Sequence, residues 1–215
     1  MTGADPRLAV AGEALRLFAE KGYEATTVDD IAEAAGISRR TFFRQYRSKE
    51  DVVFVDHEIL TARAAAFLAE SHDDPWDAVC DAALLVFEGF SQWGDVARRR
   101  YAVVHKVPAL RDREIVTVFR YERLFVEYLR RELPDVDDLA AVQFAAAVTA
   151  THNFLLRRMV RDGVRTSARD VRDALAGIRR GFTSADTDQD VVVAVFPKGI
   201  TPARVADELR RLGAL

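Results

Sequence analysis

A run of basic side chains with no acid among them begins just after Ser38. It contains Arg39, Arg40, Arg44, Arg47 and Lys49. An arginine can donate a pair of hydrogen bonds to the guanine acceptors of a major groove, and both arginine and lysine bind phosphates. The run therefore favours contact with nucleic acid. The competing interpretation is an ordinary solvated charged helix, which would present the same charges to water.

A helix-turn-helix is predicted around these cations. Thr27 with Asp30 is a capping-box pair that begins a first helix. Gly36 follows that helix, and glycine tolerates the positive φ that ends one. Ser38 caps a second helix, which extends to about Tyr46. Apolar and basic side chains recur along it at helical spacing, so one face is predicted to be buried and the other to be basic.

Residue patterns of catalytic sites are weak or absent in this sequence. Gly89-Phe90-Ser91-Gln92-Trp93 imitates a nucleophile elbow, but tryptophan replaces its second glycine and no strand precedes it. The histidines, His57, His72, His105 and His152, show no ligand spacing with each other or with Cys80. No phosphate-cradling glycine loop occurs. We therefore predict no enzymatic activity, no metal site and no cofactor.

The overall composition predicts a soluble protein whose basic character is local. The chain has 215 residues and a formal net charge of −3, whereas general polyanion binders are usually basic overall. A single cysteine allows no intrachain disulfide, which fits a reducing compartment. The sequence has no recognisable signal segment and no uncharged run long enough to span a membrane. These features predict a cytoplasmic location.

Residues 8 to 55 resemble the N-terminal DNA-binding domain of the TetR family of bacterial transcriptional regulators. The shared pattern stands here as ALRLFAEKGYEATTVDDIAEAAGISRRTFFRQYRSKEDVV. A match of this length in fixed order is far more specific than a short motif. Two departures affect the basic face, since Phe43 stands where the family commonly has tyrosine and Arg47 replaces a frequent proline.

The resemblance implies a set of DNA contacts on the helix-turn-helix. We expect Thr27 and Lys49 to hold phosphates, which position the protein without reading sequence. Arg39, Arg40 and Arg44 are the candidates for contacts to base edges. The full predicted set is Thr27, Arg39, Arg40, Thr41, Phe43, Arg44 and Lys49. The alternative for any single arginine is a surface ion pair with an acid of the protein itself.

Beyond this head, apolar residues recur at helical spacing almost to residue 183. One helix is predicted from Ser48 to about Ser71, linking the DNA-binding part to the rest. A long helix is predicted from about Ala109 to Glu132. Its inward side chains are expected to be Ile115, Phe119, Leu124, Phe125 and Leu129. The predicted fold class is all-α.

Three segments are predicted. Residues 1–50 form the helix-turn-helix DNA-binding domain, and residues 51–183 form a helical domain for ligand binding and dimerisation. Residues 184–215 form an extension that begins with a polar, acidic linker. Within the extension, the β-branched run at 191–196 predicts a strand, and Thr201-Pro202 begins a final helix.

The second segment holds aromatic and polar residues of the kind that line a cavity. In the resembling family this region contains a mostly apolar pocket for a small inducer. The residues expected to line it are Trp76, Phe87, Phe90, Trp93, Tyr101, His105, Phe119, Phe125, Phe144, His152 and Asn153. Aromatic residues at helical spacing are also ordinary core residues, so a packed interior is the alternative.

The helical stretch Leu139–Leu156 is apolar on nearly all sides and must be covered on more than one. In the resembling family the last two bundle helices form a four-helix dimer interface. Asp137–Asp162 and Ser167–Thr183 occupy that place here. A homodimer would present two recognition helices to a near-palindromic operator.

The resemblance thus implies a ligand-responsive transcriptional regulator, most simply a repressor that a small hydrophobic effector releases from double-stranded operator DNA. A fatty acyl thioester or a hydrophobic drug belongs to that effector class. Two alternatives stay open: a constitutive DNA-binding regulator with a filled core, and a helical enzyme or adaptor that does not bind DNA. A void lined by the aromatic residues would favour the effector, and a packed interior would remove that argument.

Overall fold

The computed structural model describes residues 5–183 of the chain. Every regular element in this range is an α-helix, which confirms the all-α prediction for the described residues. The helices are α1 (Pro6–Lys21), α2 (Val28–Ala34), α3 (Arg39–Gln45), α4 (Lys49–Val53), α5 (Val55–Leu68), α6 (Pro75–Gln92), α7 (Gly94–Lys106), α8 (Pro108–Glu132), α9 (Asp138–Asp162) and α10 (Ala168–Thr183). The predicted strand at 191–196 and the predicted helix after it lie outside the described residues.

The head formed by α1, α2 and α3 is held by one hydrophobic cluster. Leu15 of α1, Ile31 of α2 and Phe42 of α3 are each fully buried. Tyr46, directly after α3, donates a hydrogen bond from its hydroxyl to the Arg7 carbonyl oxygen at 2.9 Å. These contacts fix one side of α3 on α1, so the opposite side of α3 is left for other contacts.

The link between the head and the rest is two helices, not the single helix predicted from Ser48 to Ser71. Between α4 and α5, Phe54 has φ −111° and ψ 15°. Residues 52–55 are all buried, with at most 3% of any side chain exposed. Consecutive side chains point about 100° apart around a helix, so this segment is covered on all sides. The head therefore meets the bundle through a joint at Phe54.

A second hydrophobic cluster lies among α6, α8, α9 and α10, with aromatic side chains at its centre. Phe87, Phe125 and Phe144 are at most 2% exposed. Gly89 of α6 approaches α5 closely, because a Cβ built on it would lie 2.2 Å from Leu60 Cδ2. Glycine at this position allows α5 to pack directly on α6.

The start of α8 presents a different face to the interior from the predicted one. Ile115 and Phe119, predicted to point inward, are 56% and 58% exposed, whereas Thr117 and Tyr121 are buried. The hydroxyls of these two residues donate to backbone carbonyl oxygens, Thr117 to that of Arg113 at 2.9 Å. A hydroxyl with a carbonyl partner can be buried at low cost. Apolar residues alone therefore indicate the wrong face here.

By length and composition alone, α9 is apolar enough to cross a membrane. In the structure it is a partly buried core helix that packs against α6, α8 and α10. Phe144, Ala145 and Val148 on its inner side are fully buried. Packing in the helical bundle accounts for the apolar residues on the inner side of this helix.

Buried ion pairs centred on Arg100 of α7 join three helices. Its Nε donates to Asp56 Oδ2 of α5 at 2.9 Å, and its Nη1 donates to Glu114 Oε1 of α8 at 3.3 Å. Arg100 and Asp56 are at most 4% exposed. Burial raises the pKa of the Asp56 carboxyl despite the neighbouring guanidinium. Because α7 also packs on α1, this network lies where the head meets the bundle.

Arg100→Met is expected to lower the free energy of unfolding by about 3–5 kcal/mol, because it leaves the Asp56 carboxylate buried without its partner. Arg98→Met is the control, since Arg98 on the same helix pairs with Asp95 at the surface, where a pair contributes about 0–1 kcal/mol. Urea denaturation followed by circular dichroism measures both variants. Equal, small losses would contradict the role given to the buried pair.

Candidate functional site

The helix-turn-helix is built from α2 and α3 with a side-chain cap at the start of each. Asp30 N donates to Thr27 Oγ1 at 3.1 Å, and Thr27 N donates to the Asp30 carboxylate at 2.8 Å. Ser38 Oγ accepts from Thr41 N at 3.0 Å. Gly36 between the helices has φ 65°, the left-handed conformation that ends α2. These caps and the turn agree with the local patterns in the sequence.

One face of α3 is buried and the other is basic. Phe42 is fully buried. Arg39, Arg40 and Arg44 are exposed on the other side, together with Phe43, whose side chain is 45% exposed. Within the part of the chain that the structure describes, Arg40 and Arg44 have no acidic partner. The guanidinium groups of Arg40 and Arg44 can therefore bind a phosphate or a base without first breaking an ion pair.

Arg39 is held by two neighbours. Its Nη1 donates to the Asp29 carboxylate oxygens at 2.8 and 2.6 Å, and its guanidinium lies 5.4 Å from the Phe43 ring centre. Both side chains of the ion pair are 62% exposed, so DNA can displace Asp29 at little cost. The sequence analysis misses Asp29, because a contact between two helices leaves no periodic signal.

The remaining predicted DNA contacts differ in accessibility. Thr27 is exposed at the start of α2, and the Thr41 hydroxyl lies 2.9 Å from Ser38 Oγ. Lys49 instead faces its own fold, where its Nζ donates to the Tyr23 carbonyl oxygen at 2.9 Å and lies 4.2 Å from the Tyr23 ring centre. The Lys49 side chain is 21% exposed. It braces α4 against the loop after α1, and its phosphate contact stays a prediction.

The residues predicted to line a cavity fall into three groups. Phe87, Phe90, Phe125, Phe144 and His152 are buried. Trp76, Trp93, Tyr101 and Asn153 are half-buried. His105 and Phe119 are exposed.

His105 and Phe119 lie on the surface, which corrects the prediction that they line the interior. The buried face of α7 includes Arg100 and Val104, and His105 falls on the outer side. Its ring stacks on that of Tyr101 with a centroid distance of 5.6 Å. Phe119 is exposed because the inner face of α8 passes through Tyr121 instead.

The interior between α6, α8 and α9 is nearly filled. Its cavity measures ≈ 10 Å³, about the space of one water molecule. The lining residues are Ala83, Val86, Tyr121, Phe125, Thr149, His152 and Asn153. Of the residues predicted to line a pocket, Phe125, His152 and Asn153 are therefore brought together. The described residues do not form the large aromatic void that would indicate a preformed effector pocket at this place.

Buried polar atoms in this part of the bundle lack partners. Among the described residues, His57 Nε2, Thr149 Oγ1 and His152 Nε2 form no hydrogen bond. Burial lowers the pKa of His152 to about 4 and lowers the pKa of His57 well below its usual value, so both imidazoles are neutral at neutral pH. Buried polar groups are nearly always hydrogen-bonded, so a ligand with a polar group would gain bonds here.

The basic α3 packed against α2 and α1 defines a helix-turn-helix protein of the kind that places one helix in a DNA major groove. Residues 12–54 match the family described as bacterial regulatory proteins, tetR family. Over 125 residues the chain is 32% identical to the transcriptional regulator MftR of Mycobacterium tuberculosis, covering 57% of this chain and 63% of that protein. The chain spans less than two thirds of the length of the first curated relatives that it matches.

Two solved structures share the fold over most of both chains. Thermus thermophilus FadR, a TetR family repressor in complex with lauroyl-CoA, has a TM-score of 0.51 and 22% identity, covering 90% of this chain and 100% of that one. Pseudomonas aeruginosa NalD, the secondary repressor of the MexAB-OprM multidrug efflux pump, has a TM-score of 0.57 and 20% identity, covering 82% and 96%. Residues 12–54 therefore carry the DNA-binding domain of the TetR family, and the described residues share the fold of these TetR-family structures.

The free energy of unfolding is expected to fall as the pH decreases from 6.5 towards 4. Unfolded His152 takes up a proton at its ordinary pKa of 6.5, whereas the folded side chain does so only at about 4. This residue alone accounts for about 3 kcal/mol, at roughly 1.36 kcal/mol per pKa unit. The stability is fully present above the unfolded pKa, and His57 acts in the same direction.

Urea denaturation of the protein and of His152→Leu, at about pH 7.5 and about pH 4.5, measures this effect. The variant should show a flatter pH dependence, because it has no buried imidazole at this position to protonate. His105→Leu changes an exposed histidine and serves as the control. The prediction is wrong if His152→Leu and the unmodified protein lose the same stability between the two conditions.

Proposed function

We propose that this chain is a homodimeric repressor that binds a palindromic operator and leaves it when a small hydrophobic effector binds. The observation that carries the proposal is the outer face of α3, where Arg39, Arg40 and Arg44 are exposed opposite a buried Phe42. A helix of this polarity fits a major groove, in which arginines read guanine edges. The proposed contact surface is completed by Thr27, Thr41, Phe43 and Lys49.

The proposed dimer forms through α9 and α10. After packing on α6, α7, α8 and α10 of its own chain, α9 leaves Leu139 and Phe154 each 60% exposed. Large apolar side chains exposed on one helix support an association surface at this place. Two chains paired there would present two α3 helices to half-sites about one DNA turn apart.

The proposed effector acts on residues 51–183. Support comes from the unpartnered polar atoms of His57, Thr149 and His152. The related fold of FadR was solved with lauroyl-CoA, so an acyl thioester is one candidate class and a hydrophobic drug is another. Because the interior cavity is only ≈ 10 Å³, an effector that binds there must select a state in which α6, α8 and α9 have separated.

The route from the bundle to the head passes through α7 and α5. Arg100 ties α7 to Asp56 of α5 and Glu114 of α8, and α7 packs on α1 of the head. Movement of α8 would therefore change the position of α1 and the spacing of the two heads. In this proposal residues 1–50 bind DNA in the cytoplasm, and residues 184–215 form an extension of the regulatory part.

The packed interior favours a second candidate, a constitutive DNA-binding regulator without an effector. In that case the buried polar atoms without partners only lower the stability of the fold and bind no ligand. Operator affinity would then depend on protein concentration and salt but on no small molecule.

Selection of duplexes from a random pool is expected to yield a near-palindrome, with affinity that falls steeply as salt increases because phosphate contacts release counterions. Arg39→Ala combined with Arg44→Ala should weaken binding by at least about 30-fold, as two base contacts of about 1–3 kcal/mol each are lost. Fluorescence anisotropy measures the affinities. Arg123→Ala on α8 is the control, and loss of DNA binding in the control but not in the double variant would refute the assignment.

Native mass spectrometry of the protein purified under gentle conditions is expected to detect a copurifying apolar small molecule. Adding this molecule to the operator complex should reduce operator affinity by roughly 5–150-fold, the usual range of allosteric coupling. Methanol extraction followed by readdition is the control for reversibility. A protein that carries no such molecule, and whose operator complex withstands a panel of acyl thioesters and hydrophobic drugs, would favour the constitutive regulator.

A further inference from the structure

An open cleft lies between α5 and α8, apart from the packed interior. Its volume is ≈ 300 Å³, at the lower end of the range for small-molecule sites. The lining residues are Phe54, His57, Glu58, Thr61, Ala62, Ala65, Arg113, Thr117 and Arg120. None of the aromatic residues predicted to contact an effector is among them. The cleft is therefore a separate candidate for a ligand site.

Among the described lining residues of the cleft, Arg120 provides a cation that suits a carboxylate. His57 is 5% exposed, and its Nε2 has no hydrogen-bond partner among the described residues. Tyr121 on α8 holds the other side of the ring, since its hydroxyl lies 3.3 Å from His57 Nδ1. That hydroxyl donates its only hydrogen to the His57 carbonyl oxygen at 3.1 Å, so it accepts from Nδ1, and His57 offers the cleft no donor. Arg120, the residue before Tyr121, is exposed and forms no ion pair with any described residue.

Glu58, the acid among the lining residues, repels a ligand carboxylate only weakly. Arg7 donates hydrogen bonds to the Asp5 carboxylate, which is the main cause of its raised pKa, and the exposed Glu58 contributes to the same shift. Its charge therefore lies partly in the field of a cation outside the cleft. Between the charged groups, Ala62, Ala65 and the Phe54 ring offer apolar surface. An elongated ligand with one anionic end and one apolar end matches this arrangement.

The head end of the cleft is tied to the DNA-binding part. Arg113 Nη2 donates to Asp51 Oδ1, and the Arg113 guanidinium lies 5.6 Å from the Phe54 ring centre. The other oxygen of Asp51 accepts from Arg47 N at 2.9 Å and from Ser48 N at 3.1 Å. The Asp51 carboxylate therefore holds the short connection between α3 and α4. A ligand that displaces Phe54 or Arg113 acts directly on this connection.

We propose that the α5–α8 cleft binds a small aliphatic carboxylate and that binding loosens the Arg113–Asp51 contact. The ligand carboxylate accepts hydrogen bonds from the Arg120 guanidinium. The apolar chain runs along Ala62 towards Phe54, which bears on Arg113. The carboxylate site stands by itself, whereas its effect on operator affinity rests on the proposed function.

Isothermal titration calorimetry with straight-chain carboxylates from butanoate to dodecanoate tests the site, with the corresponding primary alcohols as neutral controls. One range of chain length is expected to bind, and its alcohols should bind at least about tenfold more weakly because they lack the charge-assisted hydrogen bonds. Arg120→Gln should reduce carboxylate affinity by a similar factor. Arg123→Gln lies on the same helix outside the cleft and should leave the affinity unchanged. Failure of the whole carboxylate series to bind would overturn the site.

A second pair of variants separates binding from coupling. Ala62→Trp should fill the cleft and abolish carboxylate binding, and circular dichroism shows whether it folds. Arg113→Gln should make operator affinity insensitive to the carboxylate, because the contact that transmits binding is already lost, while calorimetry still detects carboxylate binding. Equal release of Arg113→Gln and of the unmodified protein from the operator would overturn the coupling.

The two proposals fail in different ways. If the protein binds its selected palindrome and a copurifying molecule releases it, but no carboxylate binds the cleft, the repressor function stands and the cleft site is wrong. If carboxylates bind in an Arg120-dependent manner but no duplex is bound, the cleft site stands and the repressor function is wrong.

Discussion

The basic face of α3 depends on the apolar face of the same helix. α2 and α3 have 7 residues each, far fewer than the roughly 12–15 at which isolated helices become marginally stable in water. They persist because Ile31 and Phe42 are fully buried against α1, and each such side chain contributes about 1.5–3 kcal/mol. Because Phe42 holds α3 on the rest of the head, the arginines on the outer side of α3 are not needed to keep the helix in place.

Two ion pairs of the fold differ in burial, and this difference decides which of them another group can break at little cost. The Arg39–Asp29 pair is well exposed, so water already competes for both groups and its loss is worth about 0–1 kcal/mol. The Arg100–Asp56 pair is buried, and removing one partner strands a charge at a cost of about 3–5 kcal/mol. The first pair can therefore yield to a phosphate or base, while the second keeps α7 and α5 in one arrangement.

The features that the sequence predicts well are local ones. The cap between Thr27 and Asp30 links residues three positions apart, and Gly36 needs no partner to adopt its φ of 65°. By contrast, Lys49 turns to the Tyr23 carbonyl oxygen, 26 positions away, and no spacing rule indicates this contact. The pattern of apolar residues also predicts the wrong buried face of a helix where tertiary contacts determine which face is buried.

Two such failures bear on the regulatory part. The predicted link helix is interrupted at Phe54, which has φ −111° and ψ 15° and lies in a segment that is buried from residue 52 to 55. At the start of α8, the interior takes Thr117 and Tyr121, whose hydroxyls have carbonyl partners, and leaves Ile115 and Phe119 outside. Both outcomes depend on tertiary contacts. The same contacts create the α5–α8 cleft, which therefore could not be predicted from the sequence.

The free energy needed to open the interior separates an effector inside the bundle from one in the cleft. A cavity of ~300 Å³, the size at which small-molecule sites begin, costs about 7 kcal/mol at roughly 24 cal/mol per Å³. That is comparable with the whole ~5–15 kcal/mol stability of a domain. A ligand in the present ≈ 10 Å³ void must therefore replace nearly all the lost contacts and also satisfy His152 or Thr149. The α5–α8 cleft already provides ≈ 300 Å³, so a ligand there needs no such opening, and its binding free energy can act on the Arg113–Asp51 contact.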